Sequence, residues 1–179
     1  MEEPRWLDER EARAWRRFIS MQAQLRARMA RQLQRDSGLS EADYEVLVQL
    51  SEAPDGRQRV FELGRATQWE KSRLSHHLTR MAQRGLVARE TCPTDFRGAF
   101  VVLTDAGREA IEGAAPQHVE HVRRWFVDAL TPEQLDALAE MSDAVLERLD
   151  ADSDGKECCA EDELFAGAAV RRRAESPRH

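Results

Sequence analysis

VFELGRATQWEKSRLSHHLTRMAQRGLVARETCPTDFRGAFVVLT, residues 60–104, is the stretch from which the fold is read. It opens with a short helical segment, VFELGRAT (60–67), and a turn. A second helix follows, WEKSRLSHHLTRMAQR (69–84), which Gly85 stops. Two short strands, LVARETC (86–92) and AFVVLT (99–104), then flank PTDFRG. Helix, turn, helix and hairpin is the order of a winged helix-turn-helix, and the second helix of such a unit is the element that lies in a DNA major groove. Spacing its residues at about 100° per position puts Leu74, Leu78 and Met81 on one stripe, the i, i+4, i+7 pattern of a buried face. Trp69, Ser72, Arg73, His76, Thr79 and Arg80 project on the other side, and Ser75 joins them as a candidate DNA contact. Two guanidiniums there can fork onto guanine or clasp phosphate. No acid interrupts that face.

Working outward, Trp15, Phe18, Ile19, Gln22, Leu25, Met29 and Leu33 keep a helical rhythm from about Asp8 to Arg35, and Gly38 supplies the left-handed stop. At ~1.5 Å per residue that helix is about 40 Å long. So long an apolar stripe needs a surface beyond its own small domain, and a second copy of the chain is the simplest one. Ser40 and Asp43 form a variant capping box for the next helix, whose buried face is Tyr44, Leu47, Val48 and Leu50, and APDG (53–56) ends it. Beyond the hairpin, Thr104 caps a helix predicted to run to about Leu130, with a kink or break at Pro116. TPEQ (131–134) starts the last helix, with Thr as N-cap and Pro at the first helical position. Leu135, Leu138, Met141, Val145 and Leu149 sustain it. The fold class is therefore mostly α with a small β wing. Residues 1–38 and 105–150 are predicted as dimerisation helices around a DNA-binding unit at 39–104, with the recognition helix at about 69–84 and the wing at about 86–104. Residues 151–179, acidic and then basic, are read as a mostly disordered tail.

The 179 residues are 41% hydrophobic and 34% charged, enough for a core and for long solvated helix faces. A net charge of −6 argues at first against nucleic acid, but its distribution reverses that. Residues 57–100 hold nine basic groups against four acidic ones, whereas 128–163 hold thirteen acids against Arg148 and Lys156. Phosphates respond to local charge, since fields beyond roughly 8–10 Å are screened. No apolar run approaches the ~20 residues of a membrane span, and no signal peptide opens the chain. Cys92, Cys158 and Cys159 form no even disulfide framework, which points to reducing cytoplasm.

The stretch 69–104 resembles the MarR-type (multiple antibiotic resistance regulator) transcriptional regulators, above all in D-x-R-G (Asp95, Arg97, Gly98) and the following LTDAG. The resemblance covers about residues 10–149. It implies a triangular homodimer with interlocked terminal helices, a recognition helix in the major groove and the wing arginine, Arg97, in the minor groove. It also implies a repressor of a neighbouring gene that releases a pseudo-palindromic operator when a small, often phenolic or aromatic, compound binds or a cysteine is oxidised. Independently of the family, an arginine at a hairpin tip gains from the negative potential of a narrow minor groove, and Asp95 is placed to hold it. Trp15, Phe18, Tyr44 and Trp125 are candidates to line an effector cleft.

Several weaker signals compete with plainer readings. Asp150, Asp152, Asp154, Gly155 and Glu161 match the spacing of an EF-hand calcium loop. Glu157 stands where an apolar residue is usual, and no second hand exists, so an acidic tail is the better reading. His118 and His121 could share a metal face, but without further ligands they read as solvated histidines. Cys92, near Arg89 and Arg97, is a redox candidate, with a quiet strand cysteine as the plainer alternative. No metal or cofactor is expected, and no paired nucleophile and base suggests an enzyme. Besides the ligand-released repressor, two functions stay open: a redox- or metal-responsive regulator using Cys92 or the tail, and a winged-helix protein-interaction module without DNA binding.

Overall fold

The computed structural model describes residues 3–91 and 99–153, which fold into six helices and one three-stranded antiparallel sheet. The helices are α1 (Glu9–Ser37), α2 (Glu41–Glu52), α3 (Val60–Thr67), α4 (Lys71–Gln83), α5 (Asp105–Trp125) and α6 (Pro132–Ser153). The strands are β1 (Arg57–Arg59), β2 (Val87–Thr91) and β3 (Ala99–Leu103), in the order β1-β3-β2. The expected class, mostly α with a small β wing, is the one found.

Local chemistry sets most boundaries. Asp8 and Glu11 cap α1 reciprocally, and Gly38 closes it at φ 70°. The Ser40–Asp43 capping box opens α2. The side chains of Thr131 and Gln134 each accept from the other's backbone N–H at the start of α6. Leu47, Leu50, Leu63, Leu74, Leu78 and Met81 are fully buried, so α2, α3 and α4 share one core with Val101 of β3. The expected stripe of α4 is therefore the buried one.

Several features differ from expectation. β1 was not expected: RQR has no apolar alternation, yet it pairs with β3 in the register Arg57↔Val102 and Arg59↔Phe100. Helix α5 ends at Trp125, five residues before Leu130, because Phe126 leaves helical geometry at φ −132°, ψ −65°. It runs through Pro116 without a break. Helix α6 continues to Ser153, past the expected start of the tail, so Asp150 and Asp152 of the calcium-like spacing stand in helix and not in a loop. Asp154, Gly155 and Glu161 lie outside the described residues.

The start of α5 packs closely on the start of β2. The Thr104 hydroxyl donates to Gly85 O at 2.6 Å and accepts from Gly107 N at 3.0 Å. A Cβ on Gly107 would stand 2.0 Å from Leu86 O. By contrast, the N-terminal half of α1 and most of α6 carry exposed apolar side chains: Trp15, Phe18, Ile19, Met141, Val145 and Leu149 are each 42–59% exposed.

Candidate nucleic-acid interface

Helix α4 has an exposed side made of Ser72, Arg73, Ser75, His76, Thr79 and Arg80, as the helical spacing predicted. From Lys71 to Arg84 the chain carries no acidic residue. Trp69 is the exception to that prediction. It is 9% exposed and belongs to the core. The reason is that α4 begins at Lys71 with Glu70 as its cap, and Gln68 takes a left-handed conformation at φ 55°. A helical projection therefore does not apply to Trp69. One residue before the cap, it occupies the staple position relative to Leu74, four residues into the helix, and both lie in the same core cluster.

From there Trp69 orients the exposed face instead of forming part of it. The Arg73 guanidinium lies 4.3 Å from its ring centroid, a cation–π contact that favours one placement of the side chain. His77 meets the indole edge-on at 5.2 Å. Further arginines lie on the sheet. Arg89 of β2 donates to Ser75 O at 2.9 Å, tying the hairpin to α4. Arg57 and Arg59 of β1 lie 4.2 and 5.3 Å from the Phe100 ring centroid. Arg57 and Arg59 belong to the basic stretch but are not singled out by the sequence, because their meeting at Phe100 depends on β1 joining the sheet. Cys92, Asp95, Arg97 and Gly98 lie outside the described residues.

Helix α4 is anchored to α2 through a carboxylate that the sequence reading assigned only a capping role. Asp43 is 3% exposed. Its Oδ2 accepts from Ser40 N at 2.9 Å and from Arg84 Nη1 at 2.6 Å, and its Oδ1 is 3.2 Å from His77 Nε2. Arg84 also donates to Gly38 O at 3.3 Å, so one guanidinium joins α4 to the ends of both α1 and α2. Burial pushes the Asp43 carboxyl up, but the adjacent His77 together with bonds from Arg84 and Ser40 outweighs that and holds it well below the ordinary carboxylate range. A carboxylate lowered in the fold stabilises it above its unfolded pKa of about 4, and that stability drains away as pH falls further. Asp43→Asn should therefore cost about 2–3 kcal/mol at pH 7, and its deficit should shrink at about pH 3. Urea denaturation at both pH values checks this. A deficit that stays constant would show that the charge is not what matters.

A groove of about 620 Å³ runs between α1, α2 and α5, lined by Met29, Leu33, Tyr44, Val122 and Phe126 among others. The Arg26–Glu41 ion pair, at 2.8 Å, borders it. Of the four aromatic residues expected in an effector cleft, Tyr44 is there. Trp15 and Phe18 instead pair with each other on exposed α1, with ring centroids 6.1 Å apart. Trp125 stacks on His121 at 4.7 Å, under the Arg28 guanidinium. The outer half of α1 extends beyond α2 and α5, which removes its aromatics from the groove.

Contrary to the sequence reading, His121 of α5 is buried and His118 half-buried, because that face of α5 packs on α1 and α2. The His118 ring lies tilted against Tyr44 at 4.4 Å, and burial followed by the nearby His121 lowers its pKa. Burial raises the Tyr44 phenol. His121 is 8% exposed, with Nδ1 3.7 Å from Asp36. Among the described residues no helix is long and apolar enough to cross a membrane.

Comparison with known proteins agrees with this architecture. The sequence pattern of the MarR family matches residues 37–98. The structure of AbsC, a MarR family transcriptional regulator from Streptomyces coelicolor, superposes with a TM-score of 0.79 at 42% identity, covering 83% of this chain and 99% of AbsC. Sco3205 from the same organism, a MarR family regulator solved in complex with DNA, gives 0.79 at 44% identity, covering 83% and 93%. The HTH-type transcriptional repressor YetL of Bacillus subtilis (strain 168) is 28% identical over 112 residues, 63% of this chain and 66% of YetL. The uncharacterised regulator YdgJ of the same bacterium is 28% identical over 108 residues, 59% of this chain and 65% of YdgJ. The matches thus span just under two thirds of these two curated relatives. With two solved relatives above 40% identity over nearly their whole lengths, the chain belongs to the MarR family of transcriptional regulators.

Proposed function

We propose that this chain is a cytoplasmic, homodimeric repressor that binds a pseudo-palindromic DNA operator and releases it when a small aromatic compound enters the groove beside Tyr44. The observation that carries the DNA reading is the acid-free exposed face of α4, with Arg73 and Arg80 each held by a buried ring. The DNA complex of Sco3205 and the repressor role of YetL support it. Arg73, in the first turn of α4, suits a base edge, since recognition helices read bases with their N-terminal residues. Arg80, two turns later, suits a phosphate. Arg97 of the wing is assigned to the minor groove on the family resemblance.

Dimerisation is supported by the exposed apolar side chains of α1 and α6, at opposite ends of the chain. Residues 1–38 and 105–150 are assigned to that interface. Release is supported by geometry in α2. Glu41 and Tyr44 line the groove, while Asp43 between them holds α4 through His77 and Arg84. A compound that shifts the first turn of α2 would move the recognition helix with it.

The test is selection from a random pool of duplexes by the full chain. It should enrich an inverted repeat whose half-sites lie ~10 bp apart, the spacing set by a two-fold dimer. Enrichment of no sequence, or of single half-sites alone, would contradict the reading.

A further inference from the structure

The buried side of α4 holds one polar ring, and its two nitrogens have different partners. His77 is 6% exposed. Its Nδ1 lies 3.1 Å from Arg80 Nη2. A guanidinium can only donate, so Nδ1 accepts and the ring proton sits on Nε2. That N–H lies 3.2 Å from Asp43 Oδ1, where it makes an electrostatic contact rather than a well-aligned hydrogen bond. Asp43 is in turn fixed by Ser40 and Arg84. Trp69 closes another side of the imidazole, with the two rings 82° apart. Turning the ring over would place carbon atoms against both Arg80 and Asp43, so the packing and the polar contacts specify the same orientation.

We propose that His77 is a positioning residue for DNA binding. Asp43 selects the imidazole tautomer, and Nδ1 of that tautomer holds the Arg80 guanidinium on the exposed face of α4, with its remaining N–H groups available to a phosphate. This rests on the DNA-binding reading above. A long side chain already held in place loses less rotamer freedom when it meets its partner, and affinity rises by that difference. The chain of contacts runs from α2 through a buried ring to the surface, so Arg80 is placed by the same carboxylate that anchors the recognition helix.

Two substitutions separate the two nitrogens. His77→Asn places a side-chain oxygen near the Nδ1 position and keeps an acceptor for Arg80. His77→Gln places an amide nitrogen near Nε2, which keeps the donor to Asp43 and removes the acceptor. Both shorten or reshape the same buried ring, so melting temperatures report their shared loss of packing. Affinity for the duplex enriched by the wild type, at fixed salt, should stay within about twofold for Asn and fall about fivefold for Gln. On an Arg80→Ala background the Asn and Gln variants should bind alike. In the free protein, nitrogen-15 spectra of the arginine side chains should show the Arg80 guanidinium restrained in wild type and Asn, and freely rotating in Gln. Equal losses for Asn and Gln, or a difference that survives Arg80→Ala, would overturn the proposal. If the wild type enriched no duplex while Arg80 still followed the Asn–Gln split, the DNA role would fall and the contact itself would stand. The two failures are therefore distinguishable.

Discussion

Gly107→Ala is expected to destabilise the protein by about 3 kcal/mol or more, at the severe end for a single added methyl. The added Cβ would stand 2.0 Å from Leu86 O and 2.8 Å from Leu103 Cδ1. The first obstacle is backbone and cannot rotate away. Relief requires the first turn of α5 to lift from the start of β2, which breaks the Thr104 bridge to Gly85 and the Gly107 cap. Gly113→Ala in the same helix is the control, because its Cβ would meet nothing within 4 Å. That change should be neutral or stabilising by up to about 1 kcal/mol. Denaturant titration of both variants checks this, and a Gly107→Ala protein within about 1 kcal/mol of wild type would contradict the packing described for this junction.

The second large effect concerns assembly. Removal of residues 1–36 should leave aggregate or monomer that binds no operator. It takes away the exposed stripe of Trp15, Phe18 and Ile19 together with Leu33, which is 6% exposed in the core. Phe18→Glu is the gentler companion. Phe18 is 42% exposed in the protomer, so the change should leave the fold intact and weaken only the association. Sedimentation velocity on both variants decides the matter. A soluble, DNA-binding dimer lacking residues 1–36 would refute the assignment of α1 to the interface.

What could be read from the sequence, and what could not, follows from how far each signal reaches along the chain. Helix α3 was bounded correctly at Val60–Thr67, and the stops at Gly38 and Gly85 were legible because positive φ, 70° and 75°, is a local demand. The apolar stripe of α4 was legible because Leu74, Leu78 and Met81 repeat at helical spacing. Strand β1 was hidden, since Arg57, Gln58 and Arg59 are held by β3, more than forty residues away, and not by any pattern of their own. Trp69 was misplaced by extending helical geometry across a cap. His77 is assigned to neither face by the sequence reading, because only apolar residues define the buried stripe. On a helical wheel it sits beside Met81, and a buried position there was the available signal. Its partner Asp43 was recognised as a cap, but its bond to Arg84 spans 41 positions and leaves no mark in the sequence. The same limit applies to the groove: Tyr44 lines it, but the outer half of α1 cannot be placed without knowing where α5 lies.

The measurement that bears most directly on the central claim is affinity for two duplexes of equal length at ~150 mM salt, one selected by the wild-type chain and the other its scrambled counterpart. Non-specific phosphate binding is weak under those conditions, with dissociation constants of roughly 10⁻⁴–10⁻⁶ M. A sequence-specific regulator binds its site at least about 10³-fold more tightly. The account predicts that preference for the selected duplex, with one dimer bound per inverted repeat. Equal affinity for the two duplexes would contradict it.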